Sequence, residues 1–307
     1  MDTLRLWIKG ATEKDIKNVA PLFAKVENET GEILSHTGNY KNMKTQICKN
    51  GISITGSLTK FYLGDNVQTL SRQQIKEAIE LLSDSFNLDI LKAKVTRLDV
   101  GFNLIIENRV REYLSLLGLC ANLIRSENIS KDELTVYYRS YAKRANRSKE
   151  LCFYDKVMEA KLPISDNLLR YELRFLKRLP QQLGVPEILG KTLLNDNFYT
   201  HLVSLWAENY FDIEKKKFIK LENMDNITKP NEAFNALVAL LYSQADPALI
   251  EAFLATLKED KAFADPKYYS RLNKKIRKIN SNISLVETNE LISELDTKIK
   301  VMQESVL

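Results

Sequence analysis

The sequence has little cysteine and no long apolar segment, and both shortages restrict what the protein can be. Its cysteines, Cys48, Cys120 and Cys152, are odd in number and lack metal-ligand spacing, so we expect buried thiols in a reducing cytoplasm. No apolar stretch approaches the ~18 residues of a membrane-spanning helix. The first ten residues alternate polar and apolar side chains, which argues against a secretory signal. Together these features predict a cytoplasmic protein without a membrane partner.

The net charge of +5 is mild, but basic residues are concentrated in two segments that also contain tyrosines. Residues 137–149 carry five basic groups and three tyrosines, and residues 267–280 carry six basic groups and two tyrosines, with no acid in either. Cations neutralise phosphates and rings stack on bases, so these segments suit nucleic acid. The alternative is that both are solvated surfaces. The residues predicted to make such contacts are Arg139, Lys143, Arg144, Arg147, Arg271, Lys274, Lys275, Arg277 and Lys278.

The first part of the chain mixes strand and helix patterns. Strict alternation predicts strands, and a capping box at Ser71 followed by an apolar stripe predicts a helix. Strands with two intervening helices indicate an α+β domain with a largely antiparallel sheet. The main predicted strands are residues 93–106, 133–139, 149–155 and 168–175, and the helices are residues 71–86 and 109–124.

The pattern changes after Pro180, beyond which we predict an all-helical region. Asp246-Pro247 and Asp265-Pro266 each place a capping acid before a proline that suits the first helical position. The change of class near residue 190 predicts two domains, residues 1–190 and residues 191–307.

Three acidic residues come from segments that a sheet could bring together. Period-two geometry places Asp99 beside Arg97 on one polar face and Glu172 beside Arg170 on another, and Glu159 follows a third strand. Carboxylates that converge could bind Mg²⁺ or Mn²⁺, which prefer oxygen ligands, and the ion could polarise a phosphate. The alternative is that each acid only neutralises a neighbouring basic group.

Tyr154 lies close to this acidic set, two residues before Lys156. A phenol is an unreactive acid with a pKa of about 10 until a cation stabilises the phenolate. Tyr154 is therefore a candidate nucleophile, and Lys156 could supply the charge or hold a phosphate. The simpler role for Lys156 is an ion pair with Glu159 at three-residue spacing.

Three motifs in this order, RLDVGF, FYDKVMEAK and LLRYELRFLKRL, resemble those of the filamentous-phage replication initiators, the gene-two family, and related plasmid initiators. ITGSLTKFYLGDN resembles the segment before the family's first helix. The similarity covers roughly residues 45–190, and the later segment KYYSRLNKKIRKI is similar to a basic helical stretch of the family.

The resemblance implies rolling-circle initiation, with residues 1–190 as the nicking domain. Such initiators nick one strand at an origin, stay attached to its 5′ end through a phosphotyrosine, free a 3′-hydroxyl and later rejoin the strand. The family's nucleophile falls on Tyr154, with Lys156 beside it. By the same resemblance the metal ligands are Asp99, Glu159 and Glu172, and the phosphate contacts are Arg97 and Arg170. Arg174, which shares the polar face of its strand with Glu172, is a further predicted DNA contact.

Two features qualify this assignment. Many single-strand nickases hold their metal with a histidine pair, but His36 and His201 are far apart, which leaves an all-carboxylate site. The motif contains one tyrosine, so repeated strand transfer needs a second subunit, a water or another tyrosine. The candidates for that second tyrosine are Tyr137, Tyr138 and Tyr141.

The expected partner is origin DNA, as a single-stranded or hairpin nick site plus flanking duplex. A host helicase and a second copy of the chain are further candidates. Residues 191–307 could bind duplex DNA, form a dimer or recruit the helicase. The alternative function is a non-catalytic origin-binding protein or repressor, in which the acids are ion-pair partners. An RNA-binding module is less favoured because no aromatic sheet motif for RNA is present.

Overall fold

The computed structural model describes residues 1–19, 22–130, 133–140, 147–163, 166–219, 229–281 and 286–305. Its strands are β1 (Thr3–Lys9), β2 (Phe23–Val26), β3 (Ile33–Tyr40), β4 (Met43–Cys48), β5 (Gly51–Ser57), β6 (Lys94–Ile106), β7 (Leu117–Cys120), β8 (Leu123–Ser130), β9 (Glu133–Ser140), β10 (Lys149–Asp155), β11 (Asn167–Phe175), β12 (Ile213–Lys215), β13 (Lys217–Ile219) and β14 (Val286–Thr288). Its α-helices are α1 (Leu58–Leu63), α2 (Arg72–Phe86), α3 (Val110–Ser115), α4 (Lys156–Ala160), α5 (Leu179–Gln182), α6 (Asp196–Phe211), α7 (Pro230–Gln244), α8 (Pro247–Glu259), α9 (Lys267–Ser281) and α10 (Glu290–Glu304). Within the described residues, none of these helices combines the length and the apolar character needed to cross a membrane.

Twelve of these strands form one antiparallel sheet in the order β12-β7-β8-β9-β10-β11-β6-β1-β5-β4-β3-β2. The short strands β13 and β14 pair with each other. The capping box at Ser71 is present, and α2 begins at the next residue. An antiparallel sheet with helices before and after residue 190 confirms the predicted α+β class.

The centre of the sheet is formed by β10, β11 and β6, whose register brings the candidate residues together. Glu172 lies opposite Gly101 on β6 and Cys152 on β10, and Tyr154 lies opposite Arg170. Residues directly opposite each other project from the same face of an antiparallel pair. Asp99, which lies opposite Arg174, therefore shares its face with Glu172 and Tyr154. The predicted alternation along β6 and β11 is confirmed.

The other face of these strands carries a buried aromatic stack. The Phe153 and Tyr171 rings are parallel with centroids 4.2 Å apart, and Tyr171 stacks on Trp206 of α6 at 4.9 Å. The Tyr171 hydroxyl donates to the Trp206 carbonyl at 3.0 Å, and the Trp206 indole N–H donates to the Tyr171 carbonyl at 3.2 Å. Buried rings with satisfied polar atoms stabilise a core strongly. The stack therefore fixes the positions of β10 and β11 from the face of the sheet opposite the candidate residues.

Two of the helices after residue 190, α6 and α10, contribute to the same core as the sheet. Trp206 of α6 and Leu295 of α10 are fully buried in it. Three short strands, β12 to β14, also lie in this part of the chain, and β12 joins the edge of the large sheet beside β7. The region predicted as all-helical thus contains a few strand residues, and the boundary at residue 190 stays a prediction.

The prediction of a helix over residues 109–124 is wrong beyond Ser115. Helix α3 ends at Ser115, and β7 and β8 follow it. A short apolar run such as LGLC fits a buried strand as well as a helix, so periodicity alone cannot decide. The pairing of β7 with β12 also depends on Gly118, where a Cβ atom would lie 3.0 Å from the Glu214 carbonyl oxygen.

Candidate active site

Tyr154 lies at the end of β10, where the strand gives way to α4. Asp155 caps this helix by accepting a hydrogen bond from the Met158 amide at 3.0 Å, so the strand ends one residue after the tyrosine. Tyr154 is half-buried, and its hydroxyl donates a 2.9 Å hydrogen bond to Glu172 Oε1. Burial, and next the negative charge of Glu172, raise the pKa of Tyr154. At neutral pH the phenol is therefore protonated and held by the glutamate.

Glu172 lies between two guanidinium groups. Its Oε1 accepts from Arg170 Nε at 2.6 Å, and its Oε2 accepts from Arg174 Nε at 2.8 Å. Its side chain is only 5% exposed. Burial alone would raise the pKa of this carboxyl, but Arg174 and Arg170 outweigh it and hold the pKa at about 2. Glu172 is therefore ionised at neutral pH, with each of its oxygens already bonded.

Arg170 connects Glu172 to residues that the sequence did not indicate. Its Nη2 donates to Asp2 Oδ2 at 2.5 Å and its Nη1 donates to Asn103 Oδ1 at 2.8 Å. Asp2 is 168 positions away in the chain, so no local pattern could have paired it with Arg170. Because Arg170 is almost fully buried, its guanidinium contacts these groups rather than solvent.

Gly101 leaves room for this network on the polar face. A Cβ atom at this position would lie 2.8 Å from Glu172 Cγ and 3.3 Å from Arg170 Nη2. Distances this short force the neighbouring side chains to move. The glycine therefore lets Glu172 and Arg170 lie directly on the strand surface.

Lys156 and Glu159 form a pair of their own at the start of α4. The Lys156 ammonium is buried and donates to Glu159 Oε2 at 2.6 Å and to Asn66 Oδ1 at 2.9 Å. Glu159 is about half exposed. The three-residue spacing within a helical turn explains the pairing. In this arrangement Lys156 bonds Glu159 and the loop after α1.

Asp99 is bound by Arg97, its neighbour two residues earlier on the same strand face. Arg97 Nε donates to Asp99 Oδ1 at 3.0 Å, and Arg97 Nη2 donates to Oδ2 at 2.6 Å. Burial raises the pKa of Asp99 to about 6, although Arg97 acts in the opposite direction. The effect of burial on the pKa of Asp99 is therefore larger than the opposing effect of Arg97.

The three predicted metal ligands are not gathered around one point. Asp99 is paired with Arg97, Glu172 with Arg170 and Arg174, and Glu159 with Lys156. In the described part of the chain, no group of three or more His, Cys, Asp or Glu residues is arranged to hold a metal ion. Carboxylate oxygens are the donors that Mg²⁺ and Mn²⁺ prefer, but these oxygens are already bonded to cationic groups. The arrangement therefore does not fit a single bound ion.

The two histidines lie on different elements, one in a strand and one in a helix. His36 is in β3, with Nδ1 3.3 Å from Glu13 Oε2. His201 is exposed on α6.

The predicted nucleic-acid contacts fall into separate groups. Arg174 and Arg139 lie on the polar face of the sheet, and Arg147 lies beside Glu150 just before β10. On α9, the side chains of Arg271, Lys274 and Lys275 are exposed. Lys143, Arg144 and the side chains of Arg277 and Lys278 lie outside the described residues.

The other tyrosines proposed for a second transfer differ in their positions. Tyr138 is fully buried on the core face, where its hydroxyl donates to the Gly118 carbonyl at 2.7 Å, and burial raises its pKa. Tyr137 is half-buried on the polar face beneath Arg139, with 3.8 Å between the guanidinium carbon and the ring centroid. Tyr141 lies outside the described residues.

Comparison with known proteins identifies the family. The fold and the site are those of an α+β protein with a tyrosine in an arginine- and carboxylate-rich sheet face. The family model for the N-terminal part of the gene II replication-associated protein matches residues 24–208, more than half of the chain. The chain therefore belongs to this gene-two family of replication-associated proteins, as the sequence resemblance predicted.

One solved structure is similar to the chain. It is the rolling circle replication initiator protein from Geobacillus stearothermophilus, with 12% identity, 73% of this chain and 88% of that chain covered, and a TM-score of 0.42. A likeness at this score supports no argument about the site. No curated protein matches the chain.

Proposed function

We propose that the protein initiates rolling-circle replication by nicking one strand of an origin through Tyr154. The product is a 5′-phosphotyrosine link and a free 3′-hydroxyl, and a later transfer rejoins the strand. The observation that carries the proposal is the 2.9 Å hydrogen bond from the Tyr154 hydroxyl to Glu172. This bond orients a phenol on the polar face of the sheet, within a family of replication-associated proteins.

The chemical step is a transesterification. Tyr154 Oη attacks the phosphorus, the bond from phosphorus to the 3′-oxygen breaks, and the leaving 3′-oxygen takes a proton from solvent to become the free hydroxyl. Glu172 Oε1 is the acceptor already in contact with the phenol proton. Because the pKa of Glu172 is about 2 and that of Tyr154 is raised, the proton moves only as the new Oη–P bond forms. The main role of Glu172 before that point is to hold the phenol in position.

Arg170 supplies the positive charge nearest to this step. Its Nε shares Glu172 Oε1 with the phenol, and its charge favours the phenolate, against the effect of burial. Fixed positive charge beside a developing anion is an effective way to stabilise a transition state. The involvement of Mg²⁺ or Mn²⁺ stays a proposal from the resemblance, because Asp99, Glu159 and Glu172 are each paired with a cationic side chain.

The test is a nicking assay on supercoiled DNA that carries the cognate origin, with Mg²⁺ or Mn²⁺. We expect relaxed product and a protein–DNA adduct that survives denaturation and involves the 5′ end. Tyr154→Phe should abolish both, because it removes only the attacking oxygen and leaves the ring. A matched control is Tyr137→Phe, on the same face but in contact with Arg139 rather than Glu172. Wild-type nicking by Tyr154→Phe would refute the assignment.

A second candidate function is supported by the ion pairs. If the protein only binds or marks an origin, the acids serve as partners for arginine and lysine, and each of the three is so paired. The exposed cations of α9 would then provide DNA contacts. This alternative predicts origin binding that is unaffected by EDTA and no adduct after denaturation.

The partners follow from the proposed reaction. Origin DNA is the substrate, as a single-stranded or hairpin nick site with flanking duplex. A host helicase and a homodimer stay proposals, as does a cytoplasmic location.

A further inference from the structure

A second cluster of charges on the same sheet face is centred on Glu150. Arg139 Nε donates to Glu150 Oε2 at 2.6 Å, and Arg174 Nη1 donates to Glu150 Oε1 at 2.8 Å. Arg147 Nη1 is a third cation, 4.0 Å from Oε2. One carboxylate thus faces three guanidinium groups that come from β9, β11 and the segment before β10.

The cluster has more positive charge and more donors than Glu150 can satisfy. Arg174 is shared with Glu172, but Arg139 and Arg147 have no other carboxylate partner among the described residues. Arg147 Nε is buried and has no hydrogen-bond partner in the described part of the chain. A buried donor without a partner is unfavourable unless a ligand or water completes it. Arg139, Arg147 and Arg174 remain about one quarter exposed, so a ligand can reach them.

The position of this cluster relates it to Tyr154. Glu150 and Tyr154 lie on the same face of β10, four residues apart, which corresponds to ~13 Å along the strand. Phosphates in one DNA strand are spaced by at least ~3.4 Å along its path. Both sites can therefore contact one strand within a few nucleotides. Arg174 connects them, since it bonds both Glu150 and Glu172.

We propose that Arg139 and Arg147, together with Arg174, form a second phosphate-binding subsite for the nicked strand, in which Glu150 is a resident counter-ion that the DNA phosphate displaces. The inference rests on the proposed function, because it takes the ligand to be the single strand attached at Tyr154. Arginine suits this role because its planar fork binds carboxylate and phosphate in the same geometry. Glu150 therefore keeps the guanidinium groups ordered before DNA arrives and weakens binding while it does so.

The test measures binding of a fluorescent 30-nucleotide oligothymidylate over a range of salt concentrations in EDTA. All proteins carry Tyr154→Phe so that no cleavage occurs. Arg139→Ala and Arg147→Ala should each reduce the slope of log affinity against log salt by about 0.7, the value for one phosphate contact on a single strand. Arg111→Ala is the matched control, since it removes the same charge from an exposed site on α3. Thermal unfolding shows that each variant is folded.

Glu150→Gln separates the subsite from general charge effects. It should raise affinity about fivefold, because it removes a negative charge close to the bound phosphate. If the three arginines form the subsite, this gain in affinity should disappear when Arg139 and Arg147 are both replaced by alanine. A gain that persists in that background, or salt slopes that match the Arg111→Ala control, would overturn the inference. Nicking that fails with Tyr154 intact would refute the proposed function alone, because the binding measurement does not depend on cleavage.

Discussion

Replacing Glu172 by glutamine tests the electrostatics of the site directly. The change keeps the shape of the side chain but removes the charge that lies between Arg170 and Arg174. The unperturbed pKa of this carboxyl is 4.5 and its folded-state pKa is about 2, a gap that corresponds to ~3 kcal/mol of stability at neutral pH. We therefore expect Glu172→Gln to lower the free energy of unfolding by about 3 kcal/mol at pH 7.

The pH dependence of that loss has a definite sign. A carboxyl whose pKa is depressed on folding stabilises the protein above its unfolded pKa, and the stabilisation is lost as the pH falls through the folded pKa. The difference between wild type and Glu172→Gln should therefore be constant above about pH 5 and shrink between pH 4.5 and about 2. Urea denaturation at a series of pH values measures it. Glu112→Gln, an exposed glutamate on α3, is the control and should change stability by less than about 0.5 kcal/mol.

The same variant reports on catalysis. We expect the nicking rate to fall at least about 100-fold, because the phenol loses its ionised acceptor, while oligonucleotide binding changes only a few-fold. Equal stability of Glu172→Gln and wild type at pH 7, with no change towards pH 3, would refute the idea that an ionised Glu172 is held by two arginines.

Three further predictions follow from the neighbouring residues. Burial raises the pKa of Asp99 from 3.8 to about 6, so the free energy of unfolding should fall as the pH rises through this range. Asp99→Asn should remove this pH dependence in urea denaturation, and an unchanged pH dependence would contradict the prediction. Gly101→Ala should lower the free energy of unfolding by about 1–3 kcal/mol, because its Cβ meets Glu172 and Arg170, and a variant as stable as wild type would show that the network adapts freely. Calorimetric titration with Mg²⁺ or Mn²⁺ in the absence of DNA should show only weak binding, roughly millimolar, because Asp99, Glu159 and Glu172 are already paired with cations; a micromolar site would mean that these pairs separate easily.

Local sequence patterns were sufficient to assign the faces of the central strands. Alternation depends only on the two-residue period of a strand, so Asp99 and Glu172 could be placed on a polar face without knowledge of their neighbours. The pairing of Lys156 with Glu159 was also predictable, since it depends on the spacing within one helical turn. The helix predicted over residues 109–124 failed because β7 depends on pairing with β12, almost one hundred residues later.

The partners across the site could not be predicted, because they depend on how distant segments meet. Asp2 bonds Arg170 and Asn66 bonds Lys156 only after β1 and the loop after α1 have taken their places. The sequence left two arrangements open for the three carboxylates, convergence on one ion or pairing with neighbouring cations, and in the structure each of them is paired with a cationic side chain. A sequence shows that acids and arginines share a face, whereas only coordinates show which of them are paired.

The aromatic stack behind β10 has a consequence for strand exchange. Phe153 is packed between the rings of Tyr138 and Tyr171, which fixes the backbone of the adjacent Tyr154. The Tyr154 phenol can therefore move only by rotation about its two side-chain bonds. The attacking oxygen can therefore reach only positions within one side-chain length of the end of β10. Under the proposed function, each new DNA end must therefore be carried to the tyrosine, and the moving part of a second transfer is the nucleic acid.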